Sequence, residues 1–194
     1  MSKTLIILDW DDTLFPTSWY IKNDINLSNH KNRFKYIDKF DELDKVLSET
    51  LKLMNKYGKT IIVTNALHSW IEISSSVLPL TKNIMKNMDV ISARERYQGN
   101  YDINEWKKKT FEDETSETSY NNIISMGDAD YEYNALVNLY DLLKVDKKNK
   151  YLKTIKFIKT NNYNTHLEQL YVIKNNVKNI YEIKKHLDII VNQN

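Results

Sequence analysis

Cysteine is absent from the 194 residues, and glycine and proline are scarce, at three and two. Without a thiol there is no disulfide, no zinc–thiolate site and no cysteine nucleophile. No linker rich in proline or glycine and no internal repeat divides the chain, so one domain over residues 1–194 is the expectation. No apolar run approaches the roughly 18 residues that a membrane span needs. The opening "MSKTLIILDW" holds too short an apolar run for a secretory signal and reads as a first strand. A cytoplasmic protein with no membrane partner is expected.

What is present is ordinary for a globular domain: 41% hydrophobic and 28% charged residues, in a chain long enough to bury about 70% of its unfolded surface. The net charge of +2 is unevenly spread. Residues 1–143 carry 17 basic and 22 acidic side chains, whereas residues 144–194 carry 11 and 4. A basic C-terminal segment can attract polyanions, but a solvated lysine-rich face is the favoured reading.

Five short apolar runs read as strands: "TLIIL" (4–8), "TIIVT" (60–64), "DVIS" (89–92), "NIISM" (122–126) and "TIKFIK" (154–159). Three of them are continuous rather than alternating, which suits strands covered on both faces. Tyr36, Ile37, Phe40, Leu43, Leu47, Leu51 and Met54 recur at helical spacing, with Gly58 placed as a left-handed residue beyond the helix end. A second helix is expected from Asp130, with Ala135, Leu136, Leu139, Leu142 and Leu143 as its apolar set. Two more close the chain, one carrying Leu167, Leu170 and Tyr171, the other Val177, Ile180, Ile183, Leu187 and Ile190, with a break near Asn175 and Asn176. Strands alternating with helices predict an α/β fold, a doubly wound Rossmann-like parallel sheet of about five strands with helices on both faces. In such sheets the functional crevice lies beyond the carboxyl ends of the strands.

The strand ends are where the chemistry collects. "LIILDWDDTLFP" (5–16) directs Asp9, Asp11 and Asp12 from the end of an apolar strand, an arrangement of like charges that calls for a cation or a proton-moving reaction to offset it. The second strand ends in Thr64 and Asn65. The fourth is followed by Gly127, Asp128, Asp130 and Glu132, and "NEWKKKTF" supplies Lys107, Lys108 and Lys109 before it.

These pieces resemble, in order, the four motifs of the haloacid-dehalogenase (HAD) superfamily of phosphatases. "ILDWDDTL" is similar to the first, Asp-x-Asp-x-Thr after a strand; "IIVTN" to the second; a following lysine is the third; "IISMGDADYE" is similar to the fourth. Response-regulator receivers gather similar residues, but their phosphate-accepting acid follows a middle strand, and here the third strand is followed by "ARERY".

The resemblance implies a Mg²⁺-dependent phosphomonoester hydrolase or phosphotransferase. Asp9 corresponds to the nucleophile that forms an aspartyl-phosphate, and Asp11 to the general acid and base. Thr64, Asn65 and Lys107 would bind the phosphoryl oxygens, with Lys108 and Lys109 as competitors for the lysine's place. The metal would be held by Asp9, the Asp11 backbone carbonyl, Asp128 and Glu132, with Asp130 competing for the outer position. Only about twenty residues, roughly 15–35, are available for a flap, so no large cap is expected. An open cleft suits a phosphate carried on a protein or nucleic acid. The alternative is a HAD-like binding module with little catalysis, taking a protein or nucleic-acid partner. Among the neighbouring residues, Asp12 reads as a turn or cap group and Thr13 as a local hydrogen-bonding group. His68, Arg94 and Arg96 read as structural or substrate-contacting groups, and Trp10, Phe15, Trp19 and Tyr20 chiefly as packing.

Overall fold

The structure is a computed structural model that describes residues 3–116, 120–142 and 150–191. Six parallel strands lie in the order β3-β2-β1-β4-β5-β6. They are β1 (Thr4–Leu8), β2 (Lys59–Thr64), β3 (Asp89–Ser92), β4 (Asn122–Gly127), β5 (Tyr151–Lys156) and β6 (Leu187–Ile190). The helices between them are α1 (Thr17–Lys22), α2 (His30–Phe34), α3 (Ile37–Tyr57), α4 (His68–Ser75), α5 (Pro79–Met85), α6 (Ala93–Tyr97), α7 (Ile103–Ser116), α8 (Asp130–Leu142) and α9 (Tyr163–Glu182).

The pleat of β1 explains the two layers. Ile6 and Leu8 point into a core with α3, α5 and α9, whereas Leu5 and Ile7 point into a second core with α7 and α8. Side chains of a strand alternate in direction, so a run that is apolar throughout needs cover on both sides. The fold is the doubly wound Rossmann-like α/β architecture expected. The strand order reverses between β1 and β4, and the crevice at that reversal opens beyond Leu8 and Gly127.

Several local expectations are corrected. The sheet has a sixth strand, β6, where a second C-terminal helix was expected. α9 instead runs unbroken through Asn175 and Asn176 and ends at Glu182. Both asparagines are exposed, and Asn176 Nδ2 donates back to Val172 O at 2.8 Å, so neither obliges the helix to stop. β5 covers 151–156 rather than 154–159 because Lys153, which interrupts the apolar pattern, is itself buried in the strand. The segment after β2 forms two helices, α4 and α5, the second begun by Pro79 at its first turn.

Gly58 is extended (φ −178°, ψ 176°) rather than left-handed. Its need for glycine comes from close approach, since a Cβ there would lie 2.6 Å from Thr4 O. Leu143, expected in the helix of α8, falls outside the described residues. No helix among the described residues is long and apolar enough to cross a membrane.

Candidate active site

Pairing of β1 with β4 continues one residue past the strand, where Asp9 N donates to Met126 O at 2.9 Å. The chain then folds into a tight loop, with Leu14 N and Phe15 N both donating to Trp10 O at 2.9 and 2.8 Å. Asp12 takes a left-handed conformation (φ 52°), which aspartate tolerates better than most residues. Its carboxylate accepts from Ser18 N and Ser18 Oγ, each at 2.7 Å, and pairs with Lys159 at 3.3 Å. Asp12 is therefore the group that pins this loop to the first turn of α1. Thr13, expected to bond locally, is buried with no partner for Oγ1 among the described residues.

Asp9 lies only 6% exposed and meets Lys107, 2% exposed, across the crevice. Lys107 Nζ donates to Asp9 Oδ1 at 2.6 Å and also to Glu132 Oε1. Glu132 reaches this position by folding back from the first turn of α8, where its Oε2 accepts from Ala129 N at 3.2 Å. That path requires Gly127, because a Cβ there would stand 2.3 Å from Glu132 Cγ. α8 starts at Asp130, so Asp128 and Glu132 meet through this fold-back and not as neighbours on one helical face. Oxygens of Asp9, Asp128 and Glu132 all lie within 4.8 Å of one another.

The electrostatics of this cluster are unbalanced. Burial raises the Asp9 pKa, with the Glu132 and Asp128 charges adding to it and Lys107 opposing. Burial also pushes the Asp128 carboxyl up to about 6, helped by Glu132 and Asp12. For Lys107, burial works to lower the pKa, but the facing Asp9 and Glu132 carboxylates outweigh it and hold the ammonium above its usual range. Three hard oxygen donors around one contacting ammonium form a group that could hold a metal ion.

Lys108 and Lys109 are turned away from the cluster, bonded to Glu105 at 2.6 Å and Glu112 at 2.9 Å. Asp130 is likewise outside, exposed and paired with Lys156. Thr64 ends β2 buried, two positions past the Leu8–Ile62 pair. Its Oγ1 accepts from Ala66 N at 3.0 Å. Asn65 Oδ1 is shut from solvent without a partner among the described residues.

The Asp11 carboxylate does not belong to the acidic group. Its Oδ1 accepts from Trp70 Nε1 at 2.7 Å and from Thr17 Oγ1 at 2.5 Å. The sequence reading singled out neither donor. Both lie outside the motifs, one in the flap region and one on α4.

Comparison with protein-family models, curated proteins and solved structures finds no match. The residues themselves carry the reading.

The remaining candidates are held in local contacts. His68 bonds Glu95 through Nδ1 and Val90 O through Nε2, the latter at 3.0 Å. Those two acceptors raise its pKa, with the Glu95 hydrogen bond the larger cause. Arg96 pairs with Glu114 at 3.0 Å, and Arg94 Nε donates to Gln98 Oε1 at 2.9 Å. Trp10 and Phe15 stack with centroids 6.1 Å apart, and Trp19 packs against Tyr36, Phe40 and Tyr163.

Proposed function

We propose that the chain is a HAD-type phosphomonoester hydrolase or phosphotransferase that works with Mg²⁺ through an aspartyl-phosphate. One observation carries this reading: a buried Asp9 at the end of the central strand, bonded to Lys107 and grouped with Asp128 and Glu132. The donors are all carboxylate oxygens, the set that a hard divalent cation prefers.

In this reading Asp9 attacks phosphorus through the oxygen not held by Lys107. Asp11 protonates the departing ester oxygen and then takes a proton from the water that opens the aspartyl-phosphate. Lys107 offsets charge on the phosphoryl oxygens, and Thr64 donates its hydroxyl to them. Losing one such preorganised donor typically costs about 10²–10³ in rate, the expected effect of Thr64→Ala on kcat. Both Glu132 oxygens are engaged, one by Lys107 and one by Ala129 N, so Glu132 holds the lysine as well as completing the acidic group. Mg²⁺, held by Asp9, Asp128 and the Asp11 carbonyl, would supply charge neutralisation where a phosphate dianion meets a carboxylate nucleophile.

What stands over the crevice supports a macromolecular substrate. Between Phe15 and Tyr36 the chain makes only α1 and α2, and Trp19 of α1 is buried against Phe40 and Tyr163. No folded lid is among the described residues, which supports a phosphate carried on a protein or nucleic acid. Hydrolysis of p-nitrophenyl phosphate should require Mg²⁺ and vanish in Asp9→Asn. A wild-type chain inert to this ester, phosphopeptides and 3′-phosphorylated oligonucleotides would refute the assignment.

A further inference from the structure

Asp11 is gripped from two separate elements at a single oxygen. Trp70 Nε1 of α4 and Thr17 Oγ1 of α1 both donate to Oδ1, at 2.7 and 2.5 Å. No described residue bonds to Oδ2. We infer that Trp70 and Thr17 are positioning residues which fix Oδ1 and leave Oδ2 as the oxygen that faces the substrate.

The surroundings hold both donors in place. The Trp70 ring lies edge-on to Phe15, with centroids 5.8 Å apart, and packs against Tyr20 at 5.2 Å. Ser74, one turn along α4, accepts from Trp10 Nε1 at 2.9 Å and donates to Trp70 O at 2.7 Å. The residue after the nucleophile is thus tied to the helix that orients the acid. At the other end of α4, His68 is bonded to Glu95 and Val90. The half-buried Trp70 indole N–H finds its acceptor at Asp11. Here it shares that acceptor with a hydroxyl from a different helix, which sets the plane of one carboxylate from two directions.

An oxygen already accepting two hydrogen bonds has little capacity left for a proton of its own, so a proton on Asp11 sits on Oδ2. In the transfer step the Asp9 oxygen forms its bond to phosphorus as the bond from phosphorus to the ester oxygen breaks. The ester oxygen takes the proton from Oδ2, leaving Asp11 as a carboxylate. If the clamp is lost, the carboxyl can rotate and the proton is misplaced. This matters most for a leaving group that departs poorly without protonation.

This inference rests on the phosphotransfer reading, and the test separates the two. Wild type, Trp70→Phe, Thr17→Val and Thr17→Ser are compared with Mg²⁺ on p-nitrophenyl phosphate and on phenyl phosphate, whose leaving group is the poorer. For Trp70→Phe and Thr17→Val, kcat/KM on phenyl phosphate should fall about tenfold further than kcat/KM on p-nitrophenyl phosphate, because kcat/KM reports the transfer step and not the later opening of the aspartyl-phosphate common to both esters. Thr17→Ser keeps the hydroxyl and should keep the wild-type ratio. An equal loss on both esters, or none, overturns the clamp while leaving the phosphatase assignment intact. A wild type inert to both esters overturns the assignment and the clamp together. Should Trp70→Phe fail to fold, the Thr17 pair decides by the same ratio.

Discussion

Asp9, Asp128 and Glu132 bring three carboxylates to a largely buried point where Lys107 supplies the ammonium in direct contact. Removing a single partner from a buried ionic cluster leaves the others uncompensated, typically at about 3–5 kcal/mol. Lys107→Met should therefore lower stability by about that amount in urea unfolding with a chelator present. A loss under about 1 kcal/mol would mean that the pairing contributes little. His166 is a buried ionisable residue with a pH consequence of its own. Burial lowers its pKa from 6.5 to about 4, with only a 3.4 Å contact from Nε2 to Leu14 O and no partner for Nδ1 among the described residues. Between these values the unfolded chain binds the proton and the folded chain does not, so the His166 contribution is fully present above pH 6.5 and is lost as pH drops toward 4, opposite in sign to that of the raised Asp9 and Asp128 carboxyls. That contribution amounts to about 3 kcal/mol, and between pH 7 and pH 4 His166→Met should lose about that much less unfolding free energy than wild type.

Single polar residues decide how some elements are joined. Asp44, buried in the middle of α3, accepts from Leu80 N at 2.8 Å and Thr81 N at 2.7 Å, capping α5 from a neighbouring helix. Lys153, inside β5, donates to Ile180 O at 2.6 Å and Tyr181 O at 3.2 Å, carbonyls of the last turn of α9. Such carbonyls have no partner within the helix. Lys153→Met should cost about 1–3 kcal/mol by leaving Ile180 O unsatisfied, seen as a lowered thermal midpoint with the fold retained. Lys153 also marks where the sequence is hard to read. Lys153 breaks the apolar pattern of β5, which moved the expected strand three residues late. β6 was read as helix because Val177, Ile180, Ile183, Leu187 and Ile190 keep helical spacing across the turn after Glu182. Its exposed edge position gives no alternating pattern to contradict that. β1, β2, β3 and β4 were legible because they are short, apolar and bounded by polar residues. The strand-end acids were legible for the same reason, since their place follows from the strands, whereas Lys107 lies on α7 and was reached through the family resemblance. Trp70 and Thr17 were not, because their bond to Asp11 depends on how α1 and α4 fold over the loop.

At the scale of the whole molecule, the acidic group stands where β1 and β4, the middle strands of the sheet, are joined by α7 and α8. A cation bound there would bridge elements far apart in sequence and present together only in the folded chain. Such binding stabilises the native state by RT ln(1 + [L]/Kd), about 2.7 kcal/mol at a hundredfold excess over Kd. The thermal midpoint should rise with Mg²⁺ concentration and level off in no such way with the same ionic strength of sodium. Asp128→Asn separates this from general screening. Burial and the neighbouring carboxylates make the Asp128 charge unfavourable without a cation, as its pKa of about 6 records. The variant should thus be at least as stable as wild type in chelator, yet gain little from Mg²⁺. If wild type and Asp128→Asn respond to Mg²⁺ alike, the ion acts elsewhere, and the three carboxylates need another explanation for their proximity.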